Sequence, residues 1–185
     1  MFNRAMPMLL LACAVPAWGA SLPALDLTVA RIDVAEGGKA YRIASSGTVA
    51  AAPAAVWRIL TDYQHMADYV PDLTSARVLS RSGNQVVLEQ MGVARMLFFT
   101  RDIRLVVAVH EQAPSRIDVS LVDGDMKVYR CSWELRAAGA GGTTVLYNAT
   151  IEPTFYVPGL VGTRLVRQDI GRMMAAVLLR LDRGD

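Results

Sequence analysis

"APAAVWRILTDYQHMADYVPDLTSARVL", Ala52 to Leu79, is the stretch on which the fold turns. Pro53 suits the first turn of a helix, where its missing N–H would have no partner anyway. Val56, Ile59 and Leu60 follow at helical spacing with Trp57 beside them, which predicts a short helix. After Thr61-Asp62-Tyr63 the chain turns, a further helical turn is expected through Met66 and Tyr69, and Pro71 stops it. From Ser75 the apolar period becomes two. Trp57 and Tyr63 are expected to anchor the helix, while His65, Met66, Tyr69 and Val70 form a short lid-like element with its exit fixed by Pro71. Asp62 is expected to cap the following turn through its carboxylate, a local structural task.

Upstream, Leu27–Ala35 and Tyr41–Val49 read as strands joined by Glu36-Gly37-Gly38-Lys39, a hairpin signal. Downstream, strands are expected over Ser75–Val93 with a turn at Ser82-Gly83-Asn84, then Arg101–His110, Arg116–Val122, Lys127–Leu135 and Thr143–Ile151. Gln112-Ala113-Pro114-Ser115, Asp123-Gly124-Asp125 and Gly139-Ala140-Gly141-Gly142 separate the later ones. Such short separators imply antiparallel neighbours. No Gly or Pro lies between Val93 and Ala113, so a break is expected near "ARMLFFTR" without ordinary turn residues. Past Pro153 and Pro158, Leu165, Ile170, Met173, Met174, Val177, Leu178 and Leu181 make one apolar helical stripe, opposite Arg164, Arg167, Arg172, Arg180 and Arg183. Strands, small helices, a long meander and one terminal helix define an α+β chain with helices on one face of an antiparallel sheet.

The chain has 185 residues, 53% hydrophobic and 19% charged, which fits a globular protein rather than a disordered one. A net charge of +2, with scattered arginines, supplies no field for holding nucleic acid. Residues 1–20 read as an export signal: Arg4, an apolar run from Met8 to Val15, and Ala17-Trp18-Gly19-Ala20 for cleavage. Leu10-Leu11-Ala12-Cys13 also fits a lipoprotein box, with Cys13 as the lipid acceptor, although a signal of that length would be unusually short. Either route places the mature chain, residues 21–185 and expected to be a single domain, in the periplasm or otherwise outside the cytoplasm. Cys131 is then alone, so no internal disulfide can form, and its alternating surroundings suggest a small core residue. His65 and His110 are the only histidines and lack metal-site spacing, and no GxSxG elbow is present. No metal or cofactor is implied.

Three segments add a resemblance. "SGTVAAAPAAVWRILTDYQHMADYVPDLTSARVL" (Ser46–Leu79) resembles the polyketide cyclase/dehydrase family of START-like proteins, including its coenzyme Q-binding relatives. "GDMKVYRCSWEL" (Gly124–Leu135) and "FYVPGLVGTRLVRQDIGRMM" (Phe155–Met174) look like exported bacterial members of that family. The resemblance implies a helix-grip fold: a curved antiparallel sheet, expected here with about six or seven strands, wrapped around the C-terminal helix with an apolar cavity between. It does not imply one reaction.

A sheet curling over one helix leaves space unless large side chains fill it. Tyr129 and Trp133 share a strand face, as do Val145, Tyr147 and Ile151. The candidate ligand-binding residues are Met66, Tyr69, Met91, Phe98, Phe99, Tyr129, Trp133, Tyr147, Phe155, Met173 and Met174. Ordinary core packing is the plain alternative for each. The leading function is binding or transport of an apolar small molecule, such as a lipid, a quinone or another isoprenoid. A cyclase or dehydratase would need a polar pair in the pocket, such as Tyr147 with Arg130 or Glu89; an envelope protein without a ligand is the third reading. Met96, Leu97, Phe98 and Phe99, flanked by Arg95 and Arg101, are either a strand end folded over the cavity mouth or a contact with a lipid surface.

Overall fold

The computed structural model describes residues 24–34, 38–95, 100–157 and 159–184. Eight strands form one continuous sheet: β1 (Leu25–Asp33), β2 (Lys39–Val49), β3 (Leu73–Ser82), β4 (Gln85–Arg95), β5 (Thr100–Gln112), β6 (Arg116–Gly124), β7 (Met126–Ala137) and β8 (Thr143–Pro153). Their order is β1-β2-β8-β7-β6-β5-β4-β3, antiparallel throughout. The expected six or seven strands become eight because every extended segment of the sequence joins the same sheet, the N-terminal hairpin strand β1 included. Lys39 pairs with Asp33 in register and by charge where that hairpin closes. β4 ends at Arg95 and β5 begins at Thr100, so the break falls where the missing turn residues put it. Residues 96–99, with Phe98 and Phe99, lie outside the described residues, as do residues 1–23 with the expected signal and Cys13.

Two helices cover one sheet face. α1 (Pro53–Leu60) starts on Pro53 and buries Val56, Ile59 and Leu60 on a single face. It ends where the Thr61 hydroxyl donates to the Trp57 carbonyl oxygen at 2.8 Å. A 3-10 turn, Tyr63–Asp68, follows, and Asp62 does not cap it as expected. The Asp62 carboxylate instead holds the His65 ring, Nδ1 to Oδ1 at 2.8 Å, because an imidazole three residues on reaches it from the exposed side of the turn. α2 (Gly159–Arg183) packs its Met174, Val177, Leu178 and Leu181 into the interior. Gly47 on β2 permits that seat: a Cβ there would run into the Leu178 side chain. Asp182 then accepts a hydrogen bond from the Ala50 backbone N–H at 2.7 Å, tying the end of α2 to the exit of β2.

Burial falls into two adjoining clusters. One joins α1 and the second half of α2 to the inner faces of β4, β5 and β8 through residues such as Val56, Leu88, Val107, Val145 and Leu181. The other holds Val29, Tyr41, Ile43, Ala149 and Met174 between α2 and the β1-β2-β8 side of the sheet. α2 therefore rests on β1 and β2, while the opposite half of the sheet curves away from it.

Candidate functional site: an apolar cavity

Between that half of the sheet and α2 lies a cavity of ≈ 300 Å³. Alternation aims Leu105, Val107 and Val109 of β5, Ile117 and Val119 of β6, and Tyr129, Cys131 and Trp133 of β7 into it. Tyr147 of β8 stands directly across from Trp133, with ring centroids 4.6 Å apart. α2 contributes Asp169, Ile170, Met173 and Val177, one side of a helix at its natural spacing. The joint after α1 closes the remaining side with Tyr63, Met66, Tyr69, Val70 and Asp72. That joint is pinned to β4: the Val93 N–H donates to the Asp72 carbonyl at 2.8 Å, and Gly92 permits the approach, since a Cβ there would meet this oxygen at 2.7 Å. Asp72 adopts φ 64°, a left-handed conformation that aspartate tolerates better than most residues.

The polar groups of the wall are mostly engaged. The Tyr63 hydroxyl donates to Glu111 Oε1 at 2.8 Å, and Glu111 also accepts from Arg81. Cys131 interacts with the hydroxyls of Tyr129 and Tyr147; burial outweighs both and pushes its thiol up to about 12. Tyr129 is raised well above the ordinary range by Cys131 and by burial, and Tyr147 by burial above all. Burial also pushes the Tyr69 hydroxyl up to about 12. These hydroxyls and the thiol are therefore neutral at neutral pH, as an apolar cavity requires.

An ion-pair cluster stands at the joint and α2. Asp72 accepts from Arg95 Nε at 2.6 Å and from Arg172 Nη2 at 2.9 Å, and the same Arg172 nitrogen reaches Asp169 at 2.8 Å. Burial raises the Asp169 carboxyl above its ordinary range, with Arg172 opposing the shift. The cluster links the joint, the end of β4 and α2 across the cavity wall. His65 lies off the wall, exposed, with its imidazole raised by the hydrogen bond to Asp62. His110 is bonded to Asn84 at 2.8 Å.

Of the residues expected at the site, Met66, Tyr69, Met91, Tyr129, Trp133, Tyr147 and Met173 line the cavity together. Met174 does not: one step along the helix from Met173, it is fully buried in the second cluster against Val29 and Tyr41. Phe155 packs beside the main core with the Arg101 guanidinium 5.2 Å from its ring centroid, and is not part of the wall. Phe98 and Phe99 lie outside the described residues. The polar pairs sketched for a cyclase do not form. Arg130 faces the opposite side of the sheet, in an open, charged depression with Arg42, Arg116 and Asp118, while Glu89 is bound to Arg77 and Arg104. Sequence reasoning missed the β5 aliphatics, Tyr63, Gln90, Asp72 and Asp169 as wall residues. For β5 the signal was present, because Ile103, Leu105, Val107 and Val109 alternate, but any half-buried strand does the same. Among the described residues no group of His, Cys, Asp and Glu is placed to hold a metal ion, and no helix is long and apolar enough to cross a membrane.

A sheet gripping a terminal helix around an apolar cavity defines a class, and the comparisons place the chain in it. Residues 49–178 match the family described as "Polyketide cyclase / dehydrase and lipid transport", and the chain belongs to that family. The match begins at the last residue of β2, leaving β1 and nearly all of β2 outside it. Among solved structures, the Zhui aromatase/cyclase from Streptomyces is similar at TM-score 0.67 and 14% identity, covering 78% of this chain and 94% of that one. A START superfamily protein from Mycobacterium smegmatis matches at TM-score 0.66 and 17% identity, covering 77% and 97%. A STAR-related lipid transfer protein from Xanthomonas axonopodis matches at TM-score 0.60 and 17% identity, covering 83% and 98%. At these identities the likeness is one of fold. No curated protein matches the chain in sequence.

Proposed function

We propose that this chain binds and carries an apolar small molecule, a lipid, a quinone or another isoprenoid, without chemically changing it. The observation that carries the reading is the cavity itself: ≈ 300 Å³ of space walled mainly by aliphatic and aromatic side chains, with its hydroxyls and thiol neutral. Removing a guest's apolar surface from water supplies ~25 cal/mol per Å². At the small end of the ~300–1,000 Å³ range of ligand cavities, the space suits a compact molecule or one end of a longer one. A family described by both cyclisation and lipid transport is consistent with this cargo.

The cyclase reading is the second choice. Asp169 is a wall carboxyl with a raised pKa, and Asp72 meets it at the same Arg172 nitrogen, but both carboxylates are engaged with Arg172 and Arg95 rather than forming a free acid and base. A general acid–base mechanism needs such a pair within hydrogen-bond reach of the substrate.

The export expected from residues 1–20 is part of the proposal, and one preparation tests both. The full chain is expected in the periplasmic fraction with a mature N-terminus near Ser21. Organic extraction of that protein followed by mass analysis is expected to yield a stoichiometric apolar compound. Freshly exported protein that extracts empty, and takes up nothing from a total lipid extract, would count against the carrier reading. We further propose, on the sequence alone, that Met96–Phe99 touch a lipid surface. Replacing Phe98 and Phe99 with Ser is expected to lower liposome co-sedimentation severalfold, and unchanged co-sedimentation removes the idea.

A further inference from the structure

Among the described residues, Tyr69 Oη is the buried side-chain polar atom without a hydrogen-bond partner. Native interiors seldom leave a hydroxyl in that state, and an exception calls for an explanation such as a missing ligand group. Its neighbours in the wall differ. The Tyr63 hydroxyl has Glu111, and no other hydroxyl of the wall is both buried and unpaired among the described residues. Tyr69 lies in the joint between Met66 and Val70, which offer nothing polar in their side chains, and its ring is backed by the Arg180 guanidinium 5.9 Å from the centroid.

The surroundings narrow what could pair with this hydroxyl. A protonated phenol donates more strongly than it accepts, so the complement that satisfies it best is an acceptor. A charged acceptor is costly to bury in a wall that is mainly apolar, and Arg95 and Arg172 are already committed to Asp72 and Asp169. From this juxtaposition we infer that Tyr69 Oη donates a hydrogen bond to a neutral carbonyl-type oxygen on an otherwise apolar ligand. The inference rests on the carrier reading and sharpens it: the cargo is a ketone, quinone or ester rather than a plain hydrocarbon.

The test uses a pair of probes differing by one group, diphenylmethane and benzophenone, each displacing the neutral dye N-phenylnaphthylamine from the wild-type protein and from Tyr69→Phe. Wild type is expected to prefer the ketone about five- to tenfold, the scale of one net hydrogen bond. Tyr69→Phe is expected to lose that preference while holding diphenylmethane within about twofold. Its unliganded unfolding temperature should equal or exceed that of wild type by up to about 2–4 °C, since an unpaired buried hydroxyl has been removed. Equal affinity of wild type for the two probes, or a preference that survives in Tyr69→Phe, overturns the inference and leaves the carrier reading standing. A lower unfolding temperature for Tyr69→Phe also overturns it, by showing that the hydroxyl already has a structural partner. Failure of the dye and both probes to bind removes the carrier reading as well.

Discussion

Met173→Trp is expected to cut the affinity for N-phenylnaphthylamine at least about tenfold, or ~1.4 kcal/mol, while the protein stays folded. Met173 projects from α2 into the cavity, so the larger indole enters space that is already empty. Overpacking normally costs about 1–3 kcal/mol because neighbours must move; here a void lies on the side toward which the ring extends. The additional apolar surface buried should keep the unfolding temperature at or above that of wild type. Ala175→Trp, two residues along on the exposed side of the same helix, is the control and should leave dye binding unchanged. Undiminished binding by a folded Met173→Trp protein would place the dye elsewhere and separate function from this cavity.

Leu178→Ala carries the largest expected cost in stability, about 2–5 kcal/mol, the range for truncating a fully buried leucine. At roughly 2–4 °C per kcal/mol for a chain of this size, thermal unfolding should register it clearly. The partner on the sheet makes a sharper prediction. Gly47→Ala alone should destabilise by about 1–3 kcal/mol, because its methyl group would collide with the Leu178 side chain. In the Leu178→Ala background the same methyl enters vacated space, so the double variant should be more stable than the sum of the two single losses. Strict additivity in the double-mutant cycle would show that α2 is not seated through this contact.

The elements were legible because each had a local cause. Pro53 with Val56, Ile59 and Leu60 marks α1, and the alternation of Tyr129, Cys131 and Trp133 marks the inner face of β7. Cys131 is in the interior, as its alternating neighbours suggested. The cavity wall was legible only where aromatics or methionines stood out. Met173 and Met174 belong to one stripe in sequence, yet a step of one residue turns a helix by about 100°, enough to send one to the cavity and the other to the second core. The Asp62–His65 pair and the Asp72–Arg95–Arg172–Asp169 cluster were not legible. The first depends on whether a carboxylate turns toward a ring or toward a backbone N–H, and the second joins three elements far apart in the chain. The orphaned hydroxyl of Tyr69 is a fact about what surrounds it, and no periodicity encodes that.

The seam between β2 and β8 has a kinetic meaning. Tyr41 faces Ile151 and Val49 faces Thr143, so the second strand to be synthesised waits for the last one before it gains its other neighbour. Contacts this remote form slowly, since a long loop must close before they can reward it. Until then β1 and β2 have only each other, and a lone two-stranded ribbon is marginal in water. The N-terminal hairpin therefore joins the rest of the sheet only after β8, the last strand, has been made.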